Sequence, residues 1–216
     1  MASTFKTLIE EFVGETENDN ALSSYLTHTA REVQDALDKE EKLSVSIRIQ
    51  IEGNSYNITD KKIIQVMKQD ASTGEYVMAQ KADVSKIGKI GDANSIYASE
   101  EYNPYWYIDQ DTDGIPRLYI SPAPTSTYKA RIYVLNIPEV AHGDSTFSVG
   151  QLNNNARTAV ILGASILWLK SKLSETIIED GDGEIAQALT MQIDILTKKY
   201  MGEMQRLSKV KETGDS

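Results

Sequence analysis

The sequence predicts an α+β protein in which helices from the two chain ends form a bundle and an antiparallel β region is inserted between them. Three observations predict it. Apolar residues recur at helical three- and four-residue steps over residues 1–43, giving the N-terminal helices of the bundle. The pattern switches to strand-like alternation over 44–147, the inserted β region, and returns to the helical step over 148–208, the long C-terminal helices. Residues 209–216 are charged, carry no stripe and read as a flexible tail.

In the first zone Phe5, Leu8, Ile9, Phe12 and Val13 share one helical face. The polar run 14–20, GETENDN, breaks that helix, and a second is predicted over 21–41 on the stripe Leu22, Tyr25, Leu26, Thr29, Val33 and Leu37. In the second zone residues 44–51, SVSIRIQI, alternate polar and apolar and predict a half-buried strand. Residues 63–67 and 76–78 predict two more strands around a turn at 70–74, and a polar stretch comes next over 81–94. Residues 105–108 and 117–120 flank Asp113-Gly114 as a hairpin, Pro122 and Pro124 end it, and 128–135 predict the last long strand. In the third zone Ser148 and Gln151 have capping-box spacing before a helix over 152–173. An acidic glycine-containing connection, 179–183, leads to the last helix. Its stripe is Ile185, Leu189, Ile193, Leu196, Tyr200, Met204 and Leu207, which suits packing in the bundle or on a neighbouring subunit.

The chain has 216 residues, 40% of them hydrophobic and 25% charged, ample for a folded core. It has no cysteine, which excludes a disulfide framework, thiolate catalysis and cysteine metal sites, and fits folding in a reducing cytoplasm. The net charge of −10 and the scattered Lys and Arg argue against tight gripping of nucleic acid; passage of nucleic acid close by without sticking is compatible with like charge. The first fifteen residues lack the apolar core of a signal peptide. The longest apolar stretch, Ala159–Leu169, has eleven residues where a membrane span needs roughly twenty, so no membrane partner is expected.

The motifs predict no catalytic, cofactor-binding or metal-binding residue, and no cofactor. Residues 109–114, DQDTDG, open like a calcium loop, but Ile120 stands where the bidentate Glu belongs and Pro116 interrupts, so a hairpin turn is the better reading. Asp180, Asp182 and Glu184 suit the positive start of the last helix, with Asp182 a candidate cap. His28 and His142, the two histidines, lie in no metal-ligand spacing and beside no nucleophile elbow. No phosphate-binding glycine loop is present. Tyr105 and Tyr107 are expected on one sheet face and Trp106 on the other, rather than as a stacking platform with Tyr102.

The run Pro104-Tyr105-Trp106-Tyr107-Ile108, an acidic glycine turn, and Arg117-Leu118-Tyr119-Ile120-Ser121-Pro122-Ala123-Pro124 resembles the head-to-tail connector or adaptor proteins of tailed phages. The next elements also come in a similar order: a strand like 128–135, Pro138, the segment 145–148, and a helix like 151–173 with Leu162-Gly163-Ala164. In place of that family's usual proline before the helix stand Val149 and Gly150. The resemblance implies a non-enzymatic virion protein made in the host bacterial cytoplasm, whose copies, often twelve in that family, form a ring beneath the portal. Such a ring binds the portal protein above and tail or nozzle proteins below, and genomic DNA crosses its channel without sequence-specific binding. On that reading the last helix, Ile185 to Leu207, is the candidate subunit or portal interface, and the tail with Lys209 and Lys211 orders on docking into the portal. Three alternatives stand beside it: another neck or tail-completion protein, a carbohydrate- or ligand-binding module using the aromatics 102–107, and a hydrolase using the acidic stretch 109–113.

Overall fold

The computed structural model describes residues 3–92, 94–180 and 183–208. In chain order its elements are α1 (Phe5–Val13), α2 (Asp19–Ala36), α3 (Lys39–Val45), β1 (Ile47–Ile51), β2 (Ser55–Asn57), β3 (Lys61–Gln69), β4 (Tyr76–Met78), β5 (Gln80–Lys81), α4 (Ile87–Ile90), β6 (Tyr105–Gln110), β7 (Pro116–Ser121), β8 (Ala130–Asn136), α5 (Arg157–Glu175) and α6 (Gly183–Ser208). The protein is thus of mixed helix and strand with antiparallel sheets, and it divides into two compact units, Met1–Val45 with Pro138–Ser216, and Ser46–Ile137.

The first unit is helical. Thr4 caps α1 by accepting from the Thr7 amide at 3.2 Å, and Asn18 caps α2 by accepting from the Ala21 amide at 3.0 Å. The free amides of Phe5 and Lys6 at the start of α1 donate to the carbonyls of Asp144 and His142 at 2.8 and 3.0 Å. Segment 138–147, expected within the β region, therefore packs on the helices: Val140 is buried among Phe5, Leu22 and Leu26, and Phe147 lies 5.2 Å from Phe5. The α5 face of Ala156, Ala159, Val160, Ala164 and Trp168 completes that core.

Three boundaries in this unit differ from expectation, each for a local reason. The helix expected over 21–41 breaks at Leu37, which is buried with an extended backbone (ψ 143°); Asp38 then accepts from the Glu41 amide at 2.7 Å and starts α3. Helix α3 runs to Val45, so Ser44 and Val45 are helical and β1 begins at Ile47. The Gln151 side chain does reach back to the Ser148 amide, at 3.3 Å, but it closes a turn; the α-helix begins only at Arg157, after a 3₁₀ turn. Burial explains this, since Gln151 and Leu152 are held inside and the Gln34 side-chain amide donates to the Gln151 carbonyl at 2.9 Å. Among the described residues no helix is long and apolar enough to cross a membrane.

The second unit holds two four-stranded sheets, where one small sheet was expected: β1-β8-β3-β4 and β2-β7-β6-β5. The alternation of β1 sets its register against β8, with Ile47, Ile49 and Ile51 opposite Val134, Ile132 and Ala130. Pairing is antiparallel except for β5 and β6, which run parallel over Gln80–Tyr105 and Lys81–Trp106. The parallel pair arises at the edge of the polar stretch 81–94, which carried no strand signal. Side chains of both sheets meet in one core, with Val66, Ile132 and Val134 from the first and Leu118 and Ile120 from the second.

Candidate functional site

The predicted interface helix forms, and its stripe faces its own chain. Ile193 and Leu196 are buried with Leu162, Ile166 and Leu169 of α5, while Leu207 is buried in the first core; Leu189, Tyr200 and Met204 are partly buried against the same clusters. Ile193, Leu196 and Leu207 are therefore unavailable to a neighbouring subunit in this fold, which corrects their assignment as contact residues. Only Ile185 of the stripe is exposed, and Lys209 and Lys211 lie outside the described residues.

The apolar side chains that do face out are ones the stripe does not include. Met191 and Ile195, 61% and 54% exposed, lie one turn apart on the side of α6 opposite the buried stripe, with Met201 at its flank. Ile177 and Ile178 are exposed where α5 widens into a π turn over Thr176–Asp180. A sequence signal existed: two isolated apolar residues spaced i, i+4 on an otherwise polar helix face.

Three helices meet closely at Gly163. A Cβ there would lie 2.3 Å from Thr29 Cγ2 and 3.2 Å from Tyr200 Cε2, so α5 approaches α2 and α6 more nearly than any larger residue permits. Burial, with a smaller push from Glu32, raises the Tyr200 phenol to about 12, so it stays neutral and serves as a packing group.

One arrangement has the residue types of a hydrolytic triad. His142 Nδ1 lies 3.1 Å from Ser23 Oγ, and its Nε2 lies 3.5 Å from Asp19 Oδ2. The hydrogen bonds show a latch instead. Ser23 Oγ donates to the Asp19 carbonyl at 2.9 Å and accepts from the His142 amide at 3.1 Å, so its proton is committed to its own helix. The Asp19 carboxylate is held below its usual range, first by its hydrogen bond from Lys6 at 2.7 Å and next by His142. The cluster fastens segment 138–147 to α1 and α2.

In the second unit, residues 109–114 close the β6–β7 hairpin. Asp111 accepts from the amides of Asp113 and Ile115 at 3.0 and 2.9 Å and from Arg117 Nε at 2.6 Å, which holds its carboxyl low. Its oxygens are thus spent on the turn. Among the described residues no three metal-ligating side chains gather. Tyr107 and Tyr119 stack across the strand pair, with ring centroids 5.3 Å apart, while Trp106 packs toward the core from the other face. Tyr102 stands exposed away from that stack. Asp182, the candidate cap of α6, lies outside the described residues.

Compared with protein-family models and with curated proteins, the chain matches none.

Proposed function

We propose that the chain is a structural, non-enzymatic virion protein: a head-to-tail adaptor whose copies form a ring that joins the portal to the tail and extends the DNA channel. On this reading the helices of both chain ends act as one bundle and the β unit as its insertion, and the protein works in the particle after synthesis in a bacterial cytoplasm. The observation that supports the reading best is the double-faced α6. One face seals the chain's own core, and the other sets Met191 and Ile195 outward; Ile177 and Ile178, ahead of the helix, are exposed as well. Such apolar residues on a long rigid helix suit burial by another chain in the assembly. The acidic balance suits a wall past which DNA slides.

Native mass spectrometry of the chain mixed with the portal protein encoded beside it tests the reading. The expected result is a multi-copy complex with near-equal numbers of the two chains. Absence of any complex across salt and concentration overturns it. Met191→Ser with Ile195→Ser is expected to weaken that complex at least about tenfold without lowering the melting temperature.

A further inference from the structure

We propose that the outward face of the sheet β2-β7-β6-β5 is a binding platform for an uncharged, hydroxyl-rich ligand, a neutral glycan chain, which packs on Tyr107 and Tyr119. The proposal goes beyond the adaptor reading and does not rest on it.

Strand register builds the platform. Tyr107 of β6, Tyr119 of β7 and Ser55 of β2 stand in one row across three strands, and Asp109, Arg117 and Asn57 stand in the next. Directly paired residues share a face and alternate residues return to it, so all six side chains leave the sheet on one side. Leu118 and Ile120, on the opposite side, are buried in the core, which sets the six toward solvent. Each of the six is accordingly half-buried or exposed. The rings of Tyr107 and Tyr119 lie nearly parallel, at 13°, and together make one rigid apolar block.

The polar groups around that block are unspent. Among the described residues the phenol oxygens of Tyr107 and Tyr119 have no hydrogen-bond partner, whereas that of Tyr105, in the same strand as Tyr107, accepts from Asn103 Nδ2 at 3.3 Å. Burial, then Tyr119 and Asp109, raises the Tyr107 phenol, so it keeps its proton as a donor. Asn57 spends its Oδ1 on the Thr59 amide at 2.8 Å and leaves its NH₂ group free. Arg117 gives its Nε to Asp111 and leaves both terminal nitrogens free. An aromatic block edged by amide, guanidinium and hydroxyl donors matches a pyranose ring. The apolar C–H face of the sugar packs on the aromatic face, and the hydroxyls around its edge take the hydrogen bonds.

Charge decides between occupants. The β unit carries ten Lys and Arg against eleven Asp and Glu, and the whole chain has a net charge of −10. Asp109, Asp111 and Asp113 outnumber Arg117 at the hairpin end of the platform, so a nucleic acid or a second copy of this chain is repelled there. A cationic segment finds the Arg117 guanidinium in its path and the Asp111 carboxylate already paired with it. An uncharged ligand meets neither penalty and uses every free donor. Without charge on the ligand, the binding is insensitive to salt.

The test titrates the full, isotope-labelled chain with uncharged oligosaccharides of glucose, galactose, mannose and N-acetylglucosamine, followed by NMR. Heparin and a single-stranded oligonucleotide serve as anionic comparators. At least one uncharged probe is expected to shift the Asn57 side-chain amide and the Tyr107 and Tyr119 backbone signals, with an affinity that high salt leaves unchanged. Tyr119→Ala is expected to weaken that binding about tenfold or more, while Tyr102→Ala, exposed and away from the stack, leaves it as it is. Asn57→Asp keeps the oxygen that holds the Thr59 amide and loses the donor; it is expected to weaken binding about threefold, a readout independent of how well the tyrosine variant folds. The proposal is overturned if no uncharged probe shifts these signals at millimolar concentration, or if Tyr119→Ala and Asn57→Asp both bind like the wild type. It is also overturned if an anionic comparator shifts the same signals more strongly than any uncharged probe.

Discussion

The two units use their carboxylates differently. In the β unit, Asp70, Asp83, Asp92 and Asp111 each accept from a main-chain amide two residues ahead, with bonds of 2.6 to 3.0 Å, and so build the turns between short strands. In the helical unit Asp38 caps a helix and Asp19 pairs with Lys6, yet Glu11, Glu15 and Glu17 remain exposed on the surface. Strands of two or three residues such as β2, β4 and β5 bury little, so the β unit depends on fixed polar pairs. Helices α2, α5 and α6 close on apolar stripes instead, and charges on their outer faces pair locally, as Lys172 does with Glu175 and Arg206 with Glu203. Nearly the whole net charge of the protein, −9 of −10, resides on the helical unit.

The sharpest way to break this contrast is Leu196→Ala. Leu196 is 3% exposed and packed by α5 residues, so its truncation opens a cavity worth about 3 kcal/mol. Chemical denaturation of the isolated chain reads this as a fall in midpoint. Had Leu196 faced a neighbouring subunit, the isolated chain would keep its stability and only the assembly would weaken, so the same variant separates the two roles.

Much of this was legible in the chain, and the failures have physical causes. The α6 stripe, the β1 alternation and the Asp113-Gly114 hairpin all signalled their elements through side-chain period or turn chemistry. A stripe reports that a face is buried but not by which chain, so Leu196 and Ile193 read equally well as core or as interface. The residues free to meet a partner, Met191 and Ile195, broke the period instead of making it. Segment 138–147 has no period of its own and is held by backbone bonds to α1 and by Thr27, which accepts from the Val140 amide at 3.0 Å. The Ser23–His142–Asp19 latch joins residues too far apart in sequence for any spacing rule. The parallel β5–β6 pair spans two residues, too few to alternate.

The β unit's dependence on polar pairs is tested by its buried lysine. Lys68 is 1% exposed and pairs with Glu101, which is 40% exposed, so the pair fastens the loop before β6 to strand β3. Glu101→Ala leaves a buried ammonium group without its carboxylate and is expected to lose about 2 kcal/mol, less than for a fully enclosed pair because water reaches the vacated site. Lys68→Met removes the charge with the need for it and is expected to lose under about 1 kcal/mol. Urea midpoints of the two variants decide the matter: equal losses would mean that the attraction between Lys68 and Glu101, which both variants remove, sets the cost, and not the ammonium group stranded by Glu101→Ala.

The smallest effect concerns pH. Arg117, then the amides of Ile115 and Asp113, hold the Asp111 carboxyl below its usual value in the folded state. A depressed folded value gives stability that is fully present above the unfolded carboxylate range, near about pH 4, and is lost as pH falls through the folded value. The hairpin is therefore expected to weaken in acid and to be indifferent to pH between about 5 and 8, where the carboxylate is ionised in both states. Asp111→Asn still offers an oxygen to the turn amides but no charge to Arg117. The variant should melt below the wild type at neutral pH, and the gap should narrow as pH drops below about 4. Since Asp70 and Asp83 also have lowered values, the difference between the two curves, rather than the wild-type curve alone, isolates the hairpin. A gap that stays constant down to the acid limit would show that the turn geometry, and not the Asp111–Arg117 charge, is what the substitution disturbs.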